Sequence, residues 1–283
     1  MKWLALTILP NNVSLAHESL DEICAELMAL GALGTSITAP PEITCYLALE
    51  SGLKNACLSK AKSLGCDVLN VAEISDDQWT GACPEVWEPI TAGTLEVIPV
   101  ESASDLGESP PNAIKIIPGL GFGTGHHPTT RMVLSALTAI THPANGRSNS
   151  ILDLGTGSGI LAIAAAKLLG GHIDANDIDP MAIENARDNI VMNRVDHLIS
   201  LSTKSLHELT GPYDLILANV YGEVLIELAP QISRVASPAS TIIMSGITEL
   251  VWGQVYDAYC SILAWRVEQE MSEGGWVCAV LKR

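Results

Sequence analysis

The residues best placed to do chemistry begin with Ile151-Leu-Asp-Leu-Gly155-Thr-Gly157-Ser-Gly159-Ile160, where glycines at alternate positions follow an apolar strand. Glycine accepts positive φ and puts no side chain between the main chain and a ligand. A strand, this turn and the helix that begins at Ile160 therefore form a crevice for a nucleotide-type cofactor. The spacing is not the Gly-x-Gly-x-x-Gly of dinucleotide binders, and no Gly-Lys-Ser/Thr follows to hold a triphosphate. Gly155 and Gly157 are the candidate contacts of the turn.

Three further elements supply polar groups. His172-Ile-Asp-Ala-Asn-Asp177 reads as the next strand and ends in a carboxylate where a doubly wound fold sets an acid against ribose hydroxyls. Asp177 is the candidate, because one carboxylate accepts two hydrogen bonds from a cis-diol, whereas Asp179-Pro180 suits the start of a helix over Met181–Asn193. A second glycine loop, Pro118-Gly119-Leu-Gly121-Phe122-Gly123-Thr124-Gly125-His126-His127-Pro128-Thr129-Thr130, leads into a helix whose first turn holds Pro128. Amides and hydroxyls of Thr129 and Thr130 at that N-terminus favour an anion such as a cofactor carboxylate; an ordinary capped helix after a pliable loop accounts for the same residues. Last, the apolar strand Tyr213–Ala218 delivers Asn219 to its carboxyl end. The Asn219 side-chain carbonyl and the Val220 backbone carbonyl can together accept both protons of an amine and aim its lone pair at an electrophile. An Asn after a strand is also a common turn former.

The elements that must position these groups fall into two sets. Strand Trp3–Leu9, helix from about Val13 to Leu30, strands Gly34–Thr38 and Cys45–Leu49, helix Leu53–Leu64 and strand Asp67–Ala72 spell β-α-β-β-α-β, a small ferredoxin-like α+β domain over 1–75 of the kind that serves recognition. Residues 76–112 carry Asp76, Asp77, Glu85, Glu88, Glu96, Glu101, Asp105 and Glu108 with no Lys or Arg. They read as an acidic linker, with a short helix near Trp79, that is either simply solvated or a docking strip. From 113 to 283 strands and helices alternate, as in an α/β, doubly wound, Rossmann-like sheet.

The chain has 283 residues, 48% of them apolar, enough for two cores, and a formal net charge of −17. That charge argues against direct nucleic-acid binding and for a basic partner. No apolar run is long enough to span a bilayer, and Trp3–Leu9 reads as a strand rather than a signal peptide, so the protein is expected in the cytoplasm. Seven cysteines, an odd number without C-x-x-C, read as reduced thiols, and the pair His126-His127 has no further ligands for a metal.

Taken together, Gly119-Leu-Gly-Phe-Gly-Thr-Gly-His-His-Pro-Thr-Thr130, Leu152-Asp-Leu-Gly-Thr-Gly-Ser-Gly159, Asp177-Ile-Asp-Pro180 and Leu217-Ala-Asn-Val-Tyr221 resemble the ribosomal protein L11 methyltransferase family, class I enzymes that use S-adenosylmethionine. The likeness runs over 113–283, including Ser245-Gly-Ile247 and Glu273-Gly-Gly-Trp276, and more loosely over the first domain and Trp79. The resemblance implies a protein-lysine N-methyltransferase acting on lysine and N-terminal amines of L11, a basic ribosomal protein. By motif position it implies cofactor contacts at Thr130, Gly155, Asp177 and Asn219, with Phe122 and Thr124 in the loop over the cofactor and Asn219 facing the amine. Two positions depart from the family: Ile117 stands where an acid usually precedes Pro-Gly, and Cys83-Pro-Glu-Val-Trp-Glu-Pro89 lacks the usual basic residues. The alternatives are a related lysine methyltransferase with another protein substrate, an NAD-dependent dehydrogenase, which the glycine spacing disfavours, and a module that binds cofactor without catalysis.

Overall fold

Alternation of apolar and polar residues, and the turns between them, build two units, Met1–Trp87 and Glu88–Arg283. The computed structural model describes residues 3–11, 20, 23–24, 26–27, 30–32, 34–39, 41–49, 52–74, 88–100, 110, 112–117, 123–140 and 150–283.

In the first unit, β1 (Trp3–Pro10), β2 (Gly34–Ala39), β3 (Glu42–Ala48) and β4 (Cys66–Ile74) form one sheet in the order β2-β3-β1-β4, with α1 (Lys54–Ser63) before β4. All neighbours are antiparallel. Leu4, Leu6 and Ile8 alternate along β1 and face a core shared with Ile43, Cys45, Leu47, Cys57 and Ala61. Leu20, Ile23, Cys24, Glu26 and Leu27, between β1 and β2, are helical, and Leu20, Ile23 and Leu27 join that core. The order matches the ferredoxin-like reading, except that β3 starts at Glu42 rather than Cys45.

The second unit begins earlier than the sequence suggested. Strands β5 (Ile90–Ala92) and β6 (Leu95–Pro99) form a hairpin, and β6 pairs in parallel with β7 (Ala113–Ile116). Residues 90–99 thus belong to a folded sheet, not to a linker, because Ala92, Leu95 and Val97 alternate inward and are 0–3% exposed. Of the acidic residues in 76–112, Glu88 and Glu96 are described; the others, like the expected turn of helix near Trp79, lie outside the described residues.

The main sheet contains β8 (Ser150–Leu154), β9 (His172–Asn176), β10 (Ile199–Ser202), β11 (Tyr213–Asn219), β12 (Ala236–Thr248), β13 (Arg266–Glu273) and β14 (Trp276–Lys282). Helices α2 (Pro128–Ala139), α3 (Ile160–Leu169), α4 (Pro180–Met192), α5 (Gly222–Val235) and α6 (Glu249–Tyr256) complete the unit. The order is β10-β9-β8-β11-β12-β14-β13, parallel from β10 through β12. β14 runs antiparallel between β12 and β13, a departure from plain alternation that the Gly274-Gly275 turn permits with φ of +57° and +74°. Successive strands step outward from β8 in one direction and from β11 in the other. The crevice between β8 and β11 is therefore the topological switch point, where open α/β sheets hold ligands. Among the described residues no helix is long and apolar enough to cross a membrane.

Candidate active site

The chain leaves β8 through Gly155, Gly157 and Gly159, at φ of +71°, +53° and +83°. The N–H groups of Gly155 and Thr156 both donate to Asn176 O at 2.9 Å, which sews the turn to the end of β9. A Cβ on Gly155 would stand 2.6 Å from Val220 Cγ1, so packing as well as φ requires glycine there. Asp177 closes the arrangement: Oδ2 accepts from Gly157 N–H and Oδ1 from Asp179 N–H, each at 3.0 Å. Each oxygen keeps acceptor capacity, so the acid that fixes the turn can still bind a diol. Asp179 caps α4 by accepting from Met181 N–H at 2.9 Å, with Pro180 in the first turn.

Across the switch point, β11 ends at Asn219. Its Nδ2 donates to Thr130 Oγ1 at 3.3 Å, while its Oδ1 is buried and has no partner. A buried carbonyl without a donor costs free energy, and a ligand N–H repays it. Val220 is packed between glycines: a Cβ on Gly246, at φ +84°, would stand 2.3 Å from Val220 O. Gly246 lies in the irregularity where the β12–β14 register shifts between Met244 and Ile247.

Thr130 comes from the first turn of α2, which His127 caps. His127 Nδ1 accepts from Thr129 N–H at 3.3 Å and lies 2.8 Å from Thr129 Oγ1. Burial first, then the Arg131 charge, lowers the His127 pKa to about 4 against an opposing effect of Glu273, so the cap is a neutral acceptor at neutral pH. Trp276 meets the ring edge-on at 5.1 Å, and Arg131 pairs with Glu273. The cap occupies Thr129, which leaves Thr130 as the candidate anion contact of the two; its oxygen accepts from Asn219 and its proton remains to donate. Thr124 is half-buried between Gly123 and Gly125, and a Cβ on Gly125 would reach Val97 Cγ1 at 3.1 Å and Ile90 Cδ1 at 3.2 Å. That glycine loop rests on the hairpin the sequence reading missed. Phe122 lies outside the described residues.

Asp153, a lone acid inside β8, escaped the sequence reading. It is 0% exposed, accepts from Thr156 Oγ1 at 2.6 Å and Ala162 N–H at 3.1 Å through Oδ2, and leaves Oδ1 unpartnered. Desolvation raises its pKa to about 7, with the Asp177 charge acting in the same direction against the two hydrogen bonds. A carboxyl whose folded pKa is raised stabilises the fold below its unfolded pKa and loses that contribution as pH rises through the folded value. His127, lowered on folding, does the reverse: its contribution is present above its ordinary 6.5 and fades as pH falls toward 4. We expect Asp153→Asn to gain stability relative to the parent at pH 7.5 and not at pH 4, read as urea midpoints. Equal midpoint shifts at both pH values would mean that Asp153 is ionised throughout.

The structure therefore brings Gly155, Gly157, Asp177, Asn219, Val220 and Thr130 to the carboxyl ends of β8, β9 and β11. A parallel sheet with a glycine turn, an acid and an amide at its switch point, and an antiparallel strand inserted near one edge, defines the Rossmann-like methyltransferase fold. Residues 42–283 match the family model described as Ribosomal protein L11 methyltransferase (PrmA), and the chain belongs to that family. Ribosomal protein L11 methyltransferase of Bacillus cereus (strain Q1) is 36% identical over 186 residues, 65% of this chain and 58% of that protein. The protein of the same description from Geotalea uraniireducens (strain Rf4) is 39% identical over 186 residues, 62% of this chain and 59% of its own length. The matched stretch thus spans less than two thirds of these relatives. A crystal structure of ribosomal protein L11 methylase from Lactobacillus delbrueckii subsp. bulgaricus superposes with a TM-score of 0.60 at 29% identity, covering 70% of this chain and 99% of that one.

Proposed function

We propose that the chain is a protein N-methyltransferase that moves a methyl group from S-adenosylmethionine to lysine and N-terminal amines of ribosomal protein L11. The observation that carries this reading is Asn219, delivered by an apolar strand to the switch point with its side-chain carbonyl buried and unpartnered. The residues present fit the cofactor: a turn free of side chains, an acid with acceptor capacity for a diol, and a threonine hydroxyl with a proton to give a carboxylate.

When bound, S-adenosylmethionine supplies an electrophilic methyl on a sulfonium that carries its own leaving group. The protein's work is alignment. Asp177 would hold the ribose hydroxyls, the Gly155–Gly159 main chain would leave room for the cofactor, and Thr130 Oγ1 would donate to its carboxylate. Asn219 Oδ1 and Val220 O would accept hydrogen bonds from the two N–H groups of the incoming amine and so direct its lone pair. That amine must be neutral; free lysine titrates near ~10.4, and a desolvated site favours the uncharged form.

Residues 1–75 serve as the recognition domain for the basic substrate, to which the net charge of −17 is complementary. The acidic stretch 76–87 sets their reach. A second reading, a lysine methyltransferase for another protein, draws on the absence of basic residues over 83–89.

Asp177→Ala tests the cofactor assignment. Losing charged hydrogen bonds worth about 1.5–3 kcal/mol weakens S-adenosylmethionine binding by roughly one to two orders of magnitude. The melting temperature falls as well, because Asp177 also holds Gly157 and Asp179. Titration calorimetry that finds parent affinity removes Asp177 from the cofactor site.

A further inference from the structure

Among the described residues, strand β7 pairs with β6 on one edge only. On the other edge, side chains take the main-chain groups of every second residue. Lys167 Nζ donates to Ala113 O at 2.7 Å. Asn193 brackets Lys115, donating to its O at 2.6 Å and accepting from its N–H at 3.0 Å. Asn189 Oδ1 accepts from Ile117 N–H at 2.8 Å, and Asn185 Nδ2 donates to Ile117 O at 3.4 Å. The three asparagines recur every four residues, so α4 and its C-cap present them in one row that stands in for a missing strand.

Asn189 does more than its neighbours in the row. Its Nδ2 donates to Ser158 O at 2.9 Å, so one buried amide touches both Ile117 and the cofactor turn. Ser158 makes a second tie: its Oγ donates to Gly123 O at 2.7 Å. Asn189 and Ser158 are 0% and 1% exposed, so water does not stand in for these bonds. The tie matters because Gly157 and Gly159 flank Ser158 at positive φ. Local sterics between two glycines resist rotation of the chain weakly, so the orientation of the Ser158 carbonyl is set by its partner rather than by its neighbours.

We propose that Asn189, together with Ser158, is a positioning pair for the cofactor: it fixes the glycine turn against Ile117 and Gly123 and thereby sets cofactor affinity. Asn193, by contrast, ties the strand edge to the end of α4, where it also donates to Asn189 O at 2.8 Å, and has no hydrogen bond to the turn. The ligand in this inference rests on the methyltransferase reading above; the geometry of the turn does not.

The test compares Asn189→Ala with Asn193→Ala in the full chain. Two quantities are measured: amide hydrogen exchange at Gly155, Thr156, Gly157 and Gly159, whose N–H groups are bonded to Asn176, Asp177 and Thr156, and S-adenosylmethionine affinity. Asn189→Ala is expected to speed exchange in the turn about tenfold and to raise the cofactor KM by a similar factor, with kcat at saturating cofactor within about twofold. Asn193→Ala is expected to leave both near the parent while also losing stability. Should Asn189→Ala fail to fold, Asn189→Ser, too short to span Ile117 and Ser158, is read the same way. Parent exchange and affinity in the Asn189 variant, or equal effects from the two positions, overturn the inference. A parent that binds no S-adenosylmethionine overturns the methyltransferase reading alone, and the exchange contrast still decides this one.

Discussion

Asn219→Ala is expected to lower methyl transfer by about 10²–10³-fold, the scale seen when one positioned polar group is removed from a reacting centre, while cofactor affinity is expected to change only several-fold. The asymmetry follows from the two ends of the amide. Nδ2 is spent on Thr130 Oγ1, and its loss leaves Thr130 able to reorient. Oδ1, buried and unpartnered, is the acceptor that the proposed mechanism offers to the amine beside the Val220 carbonyl. Asn219→Asp sharpens the comparison, since it keeps an acceptor for the amine and removes the donor to Thr130. Single-turnover rates set beside calorimetric affinities make the measurement. A variant that transfers methyl groups at the parent rate would reduce Asn219 to a turn residue.

The second large effect concerns the first unit. A fragment that begins at Glu88 is expected to bind S-adenosylmethionine like the full chain and to methylate L11 with kcat/KM lower by roughly two orders of magnitude, because a tethered recognition domain raises the local concentration of its substrate. The starting residue is dictated by structure. A fragment from Ala113 would strip β5 and β6 from β7 and expose the face that buries Leu95 and Val97. If residues 76–87, with Asp76, Asp77 and Glu85, also attract the substrate, added salt raises the KM for L11 more in the full chain than in the fragment. Undiminished methylation by the Glu88 fragment at low substrate concentration would show that recognition resides in the second unit.

Much of this site was legible because local chemistry and tertiary role coincide in the residues that form it. Asp179-Pro180 is both a helix start in sequence and a cap in space, and Gly155, Gly157 and Gly159 carry the positive φ that their spacing implied. The hairpin at 90–99 was hidden by its surroundings: Pro and acidic residues gave the segment a linker's composition, though Leu95-Glu-Val97 alternates as a strand does. At Thr129 the sequence left an anion site and an ordinary helix cap both open, because the capping acceptor is the side chain of His127, whose neutrality depends on burial that sequence does not report. Asp153 and Asn189 were missed for related reasons. A lone acid in an apolar strand and three asparagines at a spacing of four were visible, but their partners, Thr156, Ala162, Ile117 and Ser158, come together only when the sheet and α4 pack.

The most direct test of the central claim is mass spectrometry of purified ribosomal protein L11 after incubation with this protein and S-adenosylmethionine, with the Asn219→Ala variant alongside. The account predicts mass increments of whole methyl groups on lysine side chains or the N-terminal amine, dependent on cofactor and largely lost in the variant. L11 recovered unmodified, under conditions where the protein binds S-adenosylmethionine, would contradict it.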